Sequence, residues 1–113
     1  MISSDKVVTT PTISGYKITK VLGLVTGLSP RTRGVGGQIW GGVQALLGGE
    51  VTAFTLEIEK ARLEAIQRII EQAESRGANA IVGMDMETSE MGSAQMMIMV
   101  ITATGTAVVV EPE

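Results

Sequence analysis

The clearest alternation of apolar and polar positions lies between residues 57 and 76. Five apolar residues recur there at helical spacing: Ile58, Ala61, Ala65, Ile69 and Ala73. This pattern predicts an amphipathic helix with one apolar face, beginning near Thr55. Gly77 directly follows Arg76, and glycine readily adopts the positive φ that ends many helices. We therefore expect this helix to stop at Arg76.

Strand-like patterns flank this helix on both sides. Four stretches rich in β-branched or alternating residues predict strands: residues 6–10, 16–26, 79–88 and 94–110. Gly23 within the second stretch predicts a bulge or a close backbone approach. The glycine, serine and proline of residues 27–34 predict a loop, and residues 89–93 predict a turn.

A glycine-rich segment, residues 35–47, shows helical spacing of its apolar residues. Gly37, Gly41 and Ala45 lie four residues apart, so a helix here would present a smooth stripe to a closely packed backbone. The predicted order is β-β-α-α-β-β, an α+β fold in one domain over residues 1–113. With three aromatic residues among 113, the core is expected to be aliphatic.

The last predicted strand is apolar on both faces. Met96, Ile98 and Val100 alternate with a second set, Met97, Met99 and Ile101. An antiparallel sheet with helices on one side normally shows polar residues on its other side. We therefore predict that the chain forms a homo-oligomer, with Met97, Met99, Ile101 and the small-residue stripe at the interface. The alternative is that the glycine-rich helix covers the second face within one chain.

Composition and charge exclude several functions. The net charge is −3 and the pI is near 5.0, which argues against a nucleic-acid partner. The chain has neither cysteine nor histidine, so disulfides and the usual nucleophile–base pairs of enzymes are absent, and no cofactor is indicated. The N-terminus lacks a signal-peptide pattern, and no apolar run approaches the roughly 20 residues that span a membrane. A cytoplasmic, non-enzymatic protein is expected.

Two groups of residues suggest a metal site. Six of the seven methionines lie between residues 84 and 99, and thioethers bind Cu(I). Methionine more often fills gaps in cores and interfaces, and we favour that interpretation. Asp85 and Glu87 alternate on one strand face, and together with Glu50 they are candidate ligands for a metal ion at a subunit interface. The alternative is a solvated strand end.

Arg31 and Arg33 are the candidate residues for binding a small anion. They flank Thr32 just before the predicted glycine-rich helix, whose N-terminal amides would favour a phosphate or carboxylate. The segment lacks the residues that complete a P-loop or a dinucleotide-binding motif. Solvated arginines, or an intersubunit salt bridge to Glu50, are the alternatives that we favour.

Several short motifs resemble those of one family of small proteins. They are Gly15-Tyr16, residues 21–27 (VLGLVTG), residues 48–50 (GGE), Ala61-Arg62 with Glu64-Ala65, residues 77–83 (GANAIVG) and residues 105–108 (GTAV). Together they resemble the YbjQ family, functionally uncharacterised proteins that carry a heavy-metal-binding label. The resemblance implies a dodecin-like fold assembled as a homopentamer. The chain departs from the family pattern at Gly34 and Phe54, where asparagine and tyrosine are usual.

The leading hypothesis is therefore a non-enzymatic ring of five copies with a binding or scaffolding role. A second hypothesis is a metal or small-ligand binder that uses Asp85, Glu87 or Glu50 between subunits. A third is an enzyme whose site lies at a subunit junction and contains Arg31, Arg33 and Glu50.

Overall fold

A computed structural model describes residues 2–33, 50–92 and 97–113. Within these ranges the chain forms three long strands and one long helix: β1 Tyr16–Arg33, α1 Glu50–Ser75, β2 Ala80–Gly92 and β3 Met97–Pro112. A short 3₁₀ turn, Ser4–Lys6, precedes β1. The α+β class is confirmed, whereas the predicted helix at residues 35–47, with Gly37, Gly41 and Ala45, lies outside the described residues.

The strands form an antiparallel sheet in the order β1-β3-β2, so β3 is central. The register of β1 shifts on either side of Val21, between Ile18 and Lys20 and again between Val21 and Gly23. Gly23 adopts φ +104° there, a conformation that L side chains rarely adopt. The irregularity predicted at Gly23 is confirmed.

Three predicted boundaries were wrong. Residues 27–33 form the second half of β1, because their backbone pairs with β3 from Gly27 opposite Ala103 to Arg33 opposite Met97. Likewise β2 continues through the predicted turn to Gly92, and α1 begins at Glu50 instead of near Thr55. In both strands, pairing to β3 outweighs local turn chemistry. In the predicted first strand, residues 6–10, only Val7 forms an isolated bridge, to Ile81.

The helix packs on one face of the sheet, which we call the inner face. Small residues dominate this contact: Ala61, Ala65 and Ala73 of α1 are fully buried beside Ile69. Opposite them lie Val25, Ile101, Ala103 and Ala107. Because short side chains face each other, the helix axis lies close to the sheet. No helix in the described part of the chain is long and apolar enough to span a membrane.

The opposite face, which we call the outer face, is covered at one end by the N-terminal segment. Val8, Ile13 and Tyr16 pack there against four buried residues, Ala80, Val82, Val108 and Val110. The segment is fixed by backbone hydrogen bonds, from Val8 N–H to Ile81 O at 2.9 Å and from Met84 N–H to Val8 O at 3.0 Å. A second, smaller core therefore lies at the Tyr16 end of the outer face.

Candidate functional site

The densest polar cluster in the described residues joins α1 to β1 on the inner face. Glu64 accepts a hydrogen bond from the Ser29 hydroxyl at 3.2 Å and one from Arg31 Nη2 at 3.2 Å. It also pairs with Arg68 Nη2 at 2.8 Å. Arg31 Nε lies 3.3 Å from a carboxylate oxygen of Glu57. Two arginines and two glutamates therefore neutralise one another.

This cluster lacks the features of a catalytic site. The hydrogen bond from Arg31 holds the pKa of Glu64 below its usual value, and the charge of Arg68 acts in the same direction. A carboxylate with a lowered pKa is a weak proton acceptor at neutral pH, so it does not activate the Ser29 hydroxyl. Ser29 is also fully buried, which keeps substrates away. We read the cluster as a clamp between helix and strand.

The geometry changes the interpretation of the predicted anion site. Arg31 lies within β1 and not in a loop before a helix, and its guanidinium contacts Glu57 and Glu64. An anion would have to compete with two carboxylates for the same donors. Arg33 ends β1, and its side chain, like that of Glu50 at the start of α1, lies outside the described residues.

The predicted metal ligands of β2 lie on the outer face. Asp85 pairs with Thr104 and Glu87 with Thr102, and both carboxylates are exposed. In the described part of the chain, no three acidic side chains come close enough together to hold a metal ion. The described residues of one chain therefore supply at most a pair of carboxylates here.

The structure places two of the three predicted interface residues of β3 inside the chain. Met99 and Ile101 belong to the core beneath α1, with 6% and 1% of their surfaces exposed. The side chain of Met97 lies outside the described residues, as do Gly37, Gly41 and Ala45. The face that α1 covers is thus the face predicted to meet another subunit. Among the described residues, the outer face is open beyond the end that the N-terminal segment covers.

An exposed apolar line on the outer face, which we call the outer stripe, is the main feature missed by the sequence analysis. It comprises four residues of β1: Ile18, Val21, Leu24 and Leu28, with exposures of 38%, 65%, 65% and 52%. They pair with Val110, Val108, Thr106 and Thr102 of β3. These are four of the six large apolar side chains exposed in the described residues; the others, Leu56 and Leu63, lie on α1.

The spacing of apolar residues in β1 is the sequence pattern from which the outer stripe could be predicted. In a regular strand, residues on one face are two or four apart. Each register shift in β1 adds one residue, so the spacing becomes three from Ile18 to Val21 and from Val21 to Leu24. It returns to four between Leu24 and Leu28. A simple alternation therefore assigns these residues to different faces, and only the two bulges bring them together.

The chain exposes more surface than a compact monomer of its mass. Its accessible area is 7112 Å², whereas a folded monomer of 11.9 kDa is expected to expose about 6,000 Å². The radius of gyration is 17.5 Å, against about 13 Å for a compact domain of about 100 residues. The long strands give principal extents of 56 × 24 × 20 Å. An elongated shape leaves a sheet face that one helix does not cover.

Comparison with known proteins gives a consistent family signal. Residues 6–111 match the model of the YbjQ_1 family, described as "Putative heavy-metal-binding". A UPF0145 protein of Methanoregula boonei is 45% identical over 95% of this chain and 87% of its own length. The UPF0145 protein of Picrophilus torridus is 41% identical over 94% of this chain and 87% of its own. Neither relative's name states an activity.

A solved structure shares the fold. The crystal structure of a protein of unknown function from Pediococcus pentosaceus, assigned to the DUF74 family, superposes with a TM-score of 0.66. The match covers 93% of this chain and 96% of that one, at 15% sequence identity. At this identity the likeness supports the arrangement of strands and helix and nothing about activity.

Proposed function

The chain belongs to the YbjQ family of UPF0145 proteins, and from the surface of its fold we propose that it acts as a non-enzymatic homo-oligomer. The outer stripe is the observation that supports this proposal. It lies on the face opposite α1, so no movement of the helix within its own packing covers it. A second copy that covers the stripe removes its apolar area from water, which favours association.

The exposed area fits such a contact. The chain exposes about 1,100 Å² more than a compact monomer of its mass. A standard interface buries about 800 Å² on each partner. One or two contacts with neighbouring copies would therefore bring the exposed area to that of an ordinary folded subunit.

The ring of five copies is the specific assembly that we propose. The outer stripe of β1 and the exposed pair Leu56 and Leu63 of α1 are different apolar surfaces on opposite sides of the sheet. Contacts between two different surfaces run head to tail, and they generate closed rings when the rotation between neighbours allows it. A ring with an odd number of subunits requires this kind of contact.

Native mass spectrometry and light scattering test the proposal at micromolar concentration. We expect the wild type to form one defined oligomer, and the double variant Leu24→Lys/Leu28→Lys to be a folded monomer. Surface positions tolerate such changes, because exposed substitutions usually alter stability by only about 0.5 kcal/mol. Thr9→Lys/Ser14→Lys, at exposed positions of the N-terminal segment, adds the same two charges outside both apolar surfaces and should retain the oligomer. A monomeric wild type refutes the assembly, and an oligomeric double variant refutes the role of the outer stripe.

A second candidate function is metal or small-ligand binding between subunits. Asp85 and Glu87 lie on the same face as the outer stripe, so a contact between the outer faces of two copies, as an alternative to the head-to-tail ring, would bring carboxylates of different copies together. Several oxygen ligands would then meet around one ion, as Ca²⁺ or Mg²⁺ requires. Calorimetry with Ca²⁺, Mg²⁺, Zn²⁺, Ni²⁺ and Cu²⁺ tests this candidate. Heat that disappears in Asp85→Asn/Glu87→Gln supports it, and no heat in the wild type excludes it for these ions.

A further inference from the structure

The outer edge of β1 meets three polar side chains, two on α1 and the third that of Arg76, the residue that directly follows α1. Because β1 is an edge strand, its backbone groups that point away from β3 have no strand partner in the described residues. Arg76 Nη1 donates to Leu24 O at 2.7 Å, and the Thr26 N–H donates to Gln72 Oε1 at 2.7 Å. Arg68 Nη1 donates to Leu28 O. We call Arg68, Gln72 and Arg76 the edge-capping residues.

The spacing of the two elements explains why three contacts form in register. Residues four apart on a helix are separated by about 6 Å along its axis. Residues two apart on a strand are separated by about 6.7 Å. Helix and strand run in opposite directions here, since Arg68 contacts Leu28 and Arg76 contacts Leu24. Every fourth residue along the helix therefore lies beside every second residue of β1.

Hydrogen-bond donors and acceptors are also complementary at each of the three contacts. Leu24 and Leu28 present carbonyl oxygens to arginine donors, whereas Thr26 presents its N–H to the amide oxygen of a glutamine. In an antiparallel strand, alternate residues direct both backbone groups to the same side. Leu24, Thr26 and Leu28 are three consecutive residues of that outward set. The edge-capping residues thus occupy three of the six backbone groups that an added strand would use at Leu24, Thr26 and Leu28.

We propose that the edge-capping residues block strand addition at the β1 edge, so that the backbone of another chain does not pair with β1 there. An exposed strand edge is a template for pairing with another chain. The opposite edge is partly occupied too, since the Gly83 N–H donates to Thr10 O at 2.9 Å. The outer stripe thus lies on an edge strand whose outward backbone groups are partly occupied, from Leu24 to Leu28.

This inference does not depend on the proposed oligomer. The edge-capping residues limit uncontrolled sheet extension whether the wild type is a monomer or a ring. A monomeric wild type would therefore refute the proposed function and leave the present inference to be judged by its own experiment.

The test compares four variants by thioflavin T fluorescence and light scattering, at a temperature where all remain folded by circular dichroism. Gln72→Ala/Arg76→Ala removes two caps and leaves Arg68 in its pair with Glu64. Arg62→Ala/Gln67→Ala is the matched control, because it removes the same residue types from exposed positions of the same helix. Gln72→Glu/Arg76→Lys keeps an acceptor and a donor at the two positions. Ile69→Val weakens the core and leaves the caps intact.

We expect Gln72→Ala/Arg76→Ala to form thioflavin-positive assemblies at least tenfold faster than the wild type. The matched control and the Gln72→Glu/Arg76→Lys variant should remain at the wild-type rate. If Ile69→Val assembles as fast as the alanine double variant, lost stability explains the result and the proposal fails. Equal rates for the two alanine double variants would overturn it as well.

Discussion

Among the glycines that the structure describes, Gly27 is the one at which an added methyl group should disrupt the fold most. It lies on the inner face of β1, directly beneath α1. A Cβ at this position would lie 2.7 Å from the backbone nitrogen of Ile69 and would overlap the carbonyl oxygen of Ala65. Both atoms belong to the helix backbone, so no side-chain rotation relieves the overlap.

The loss of stability in Gly27→Ala can be worked out from the movement that the added methyl group imposes on α1. Ordinary contacts of a carbon atom begin at about 3.5 Å. The contact with Ile69 N alone therefore moves α1 away from β1 by about 0.8 Å, and the closer contact with Ala65 O requires more. A gap of that size removes about a quarter to a half of the dispersion energy of each contact across it. Overpacked cores lose about 1–3 kcal/mol and occasionally more. We expect Gly27→Ala to cost about 3 kcal/mol, because Ala61, Ala65 and Ile69 all lose contacts together.

Thermal unfolding followed by circular dichroism measures this loss. A change of 1 kcal/mol shifts the Tm of a domain of this size by about 4 °C, so Gly27→Ala should lower the Tm by about 12 °C. All samples need one protomer concentration, since association raises the apparent Tm.

Two other glycines provide controls for Gly27→Ala. A Cβ at Gly105 would meet the Cγ2 methyl of Ile81 at 2.7 Å. This methyl belongs to a buried β-branched side chain that is stiff at χ1, but it is not helix backbone, so Gly105→Ala should cost about 2 kcal/mol. A Cβ at Gly15 would meet open space at φ +83°, and Gly15→Ala should cost about 1 kcal/mol from backbone strain alone. If Gly27→Ala loses no more stability than Gly105→Ala, the close approach of helix and strand is not as described.

Three further predictions follow from the clamp, the core and the outer face. Glu64 has a lowered pKa in the folded chain. Its contribution to stability is therefore complete above the pKa of an unfolded glutamate, about 4.3. That contribution is lost as the pH falls through the lower pKa of the folded chain. Glu64→Gln should flatten the fall of Tm below about pH 4.3, and an unchanged slope would contradict the clamp. Ile69→Ala should cost about 2–5 kcal/mol in urea unfolding, because Ile69 is fully buried; a loss below that range would indicate a loosely packed core. Asp85→Asn/Glu87→Gln should change the free energy of unfolding by only about 0.5 kcal/mol, because both side chains are exposed, and a larger loss would reveal a structural role.

The parts of the fold with a regular period could be predicted from the sequence. The spacing of Ala61, Ala65, Ile69 and Ala73 identified the buried side of α1 correctly. Gly77, at φ +86°, follows the end of the helix as its position after Arg76 predicted. These features depend on local chemistry, which a single sequence contains.

The parts that depend on partners in space were missed. The second half of β1 contains Gly27, Ser29 and Pro30, which locally favour a loop, and only pairing with β3 makes it a strand. The two register shifts hid the outer stripe, because they change the spacing of residues on one face. The clamp was missed for the same reason, since Arg31 and Glu64 are 33 residues apart and no local pattern joins them.

The two faces of the sheet should respond differently to substitution, which separates folding from assembly. On the inner face, small residues allow α1 to approach closely, so an added methyl group there costs stability before it affects association. On the outer face, Leu24 and Leu28 contribute little to the fold of one chain because most of their surface is exposed in it. A polar substitution there leaves the monomer stable and removes apolar area only from the assembly. A loss of oligomer with an unchanged free energy of unfolding for the monomer is therefore specific to the outer stripe, and it cannot arise from a damaged core.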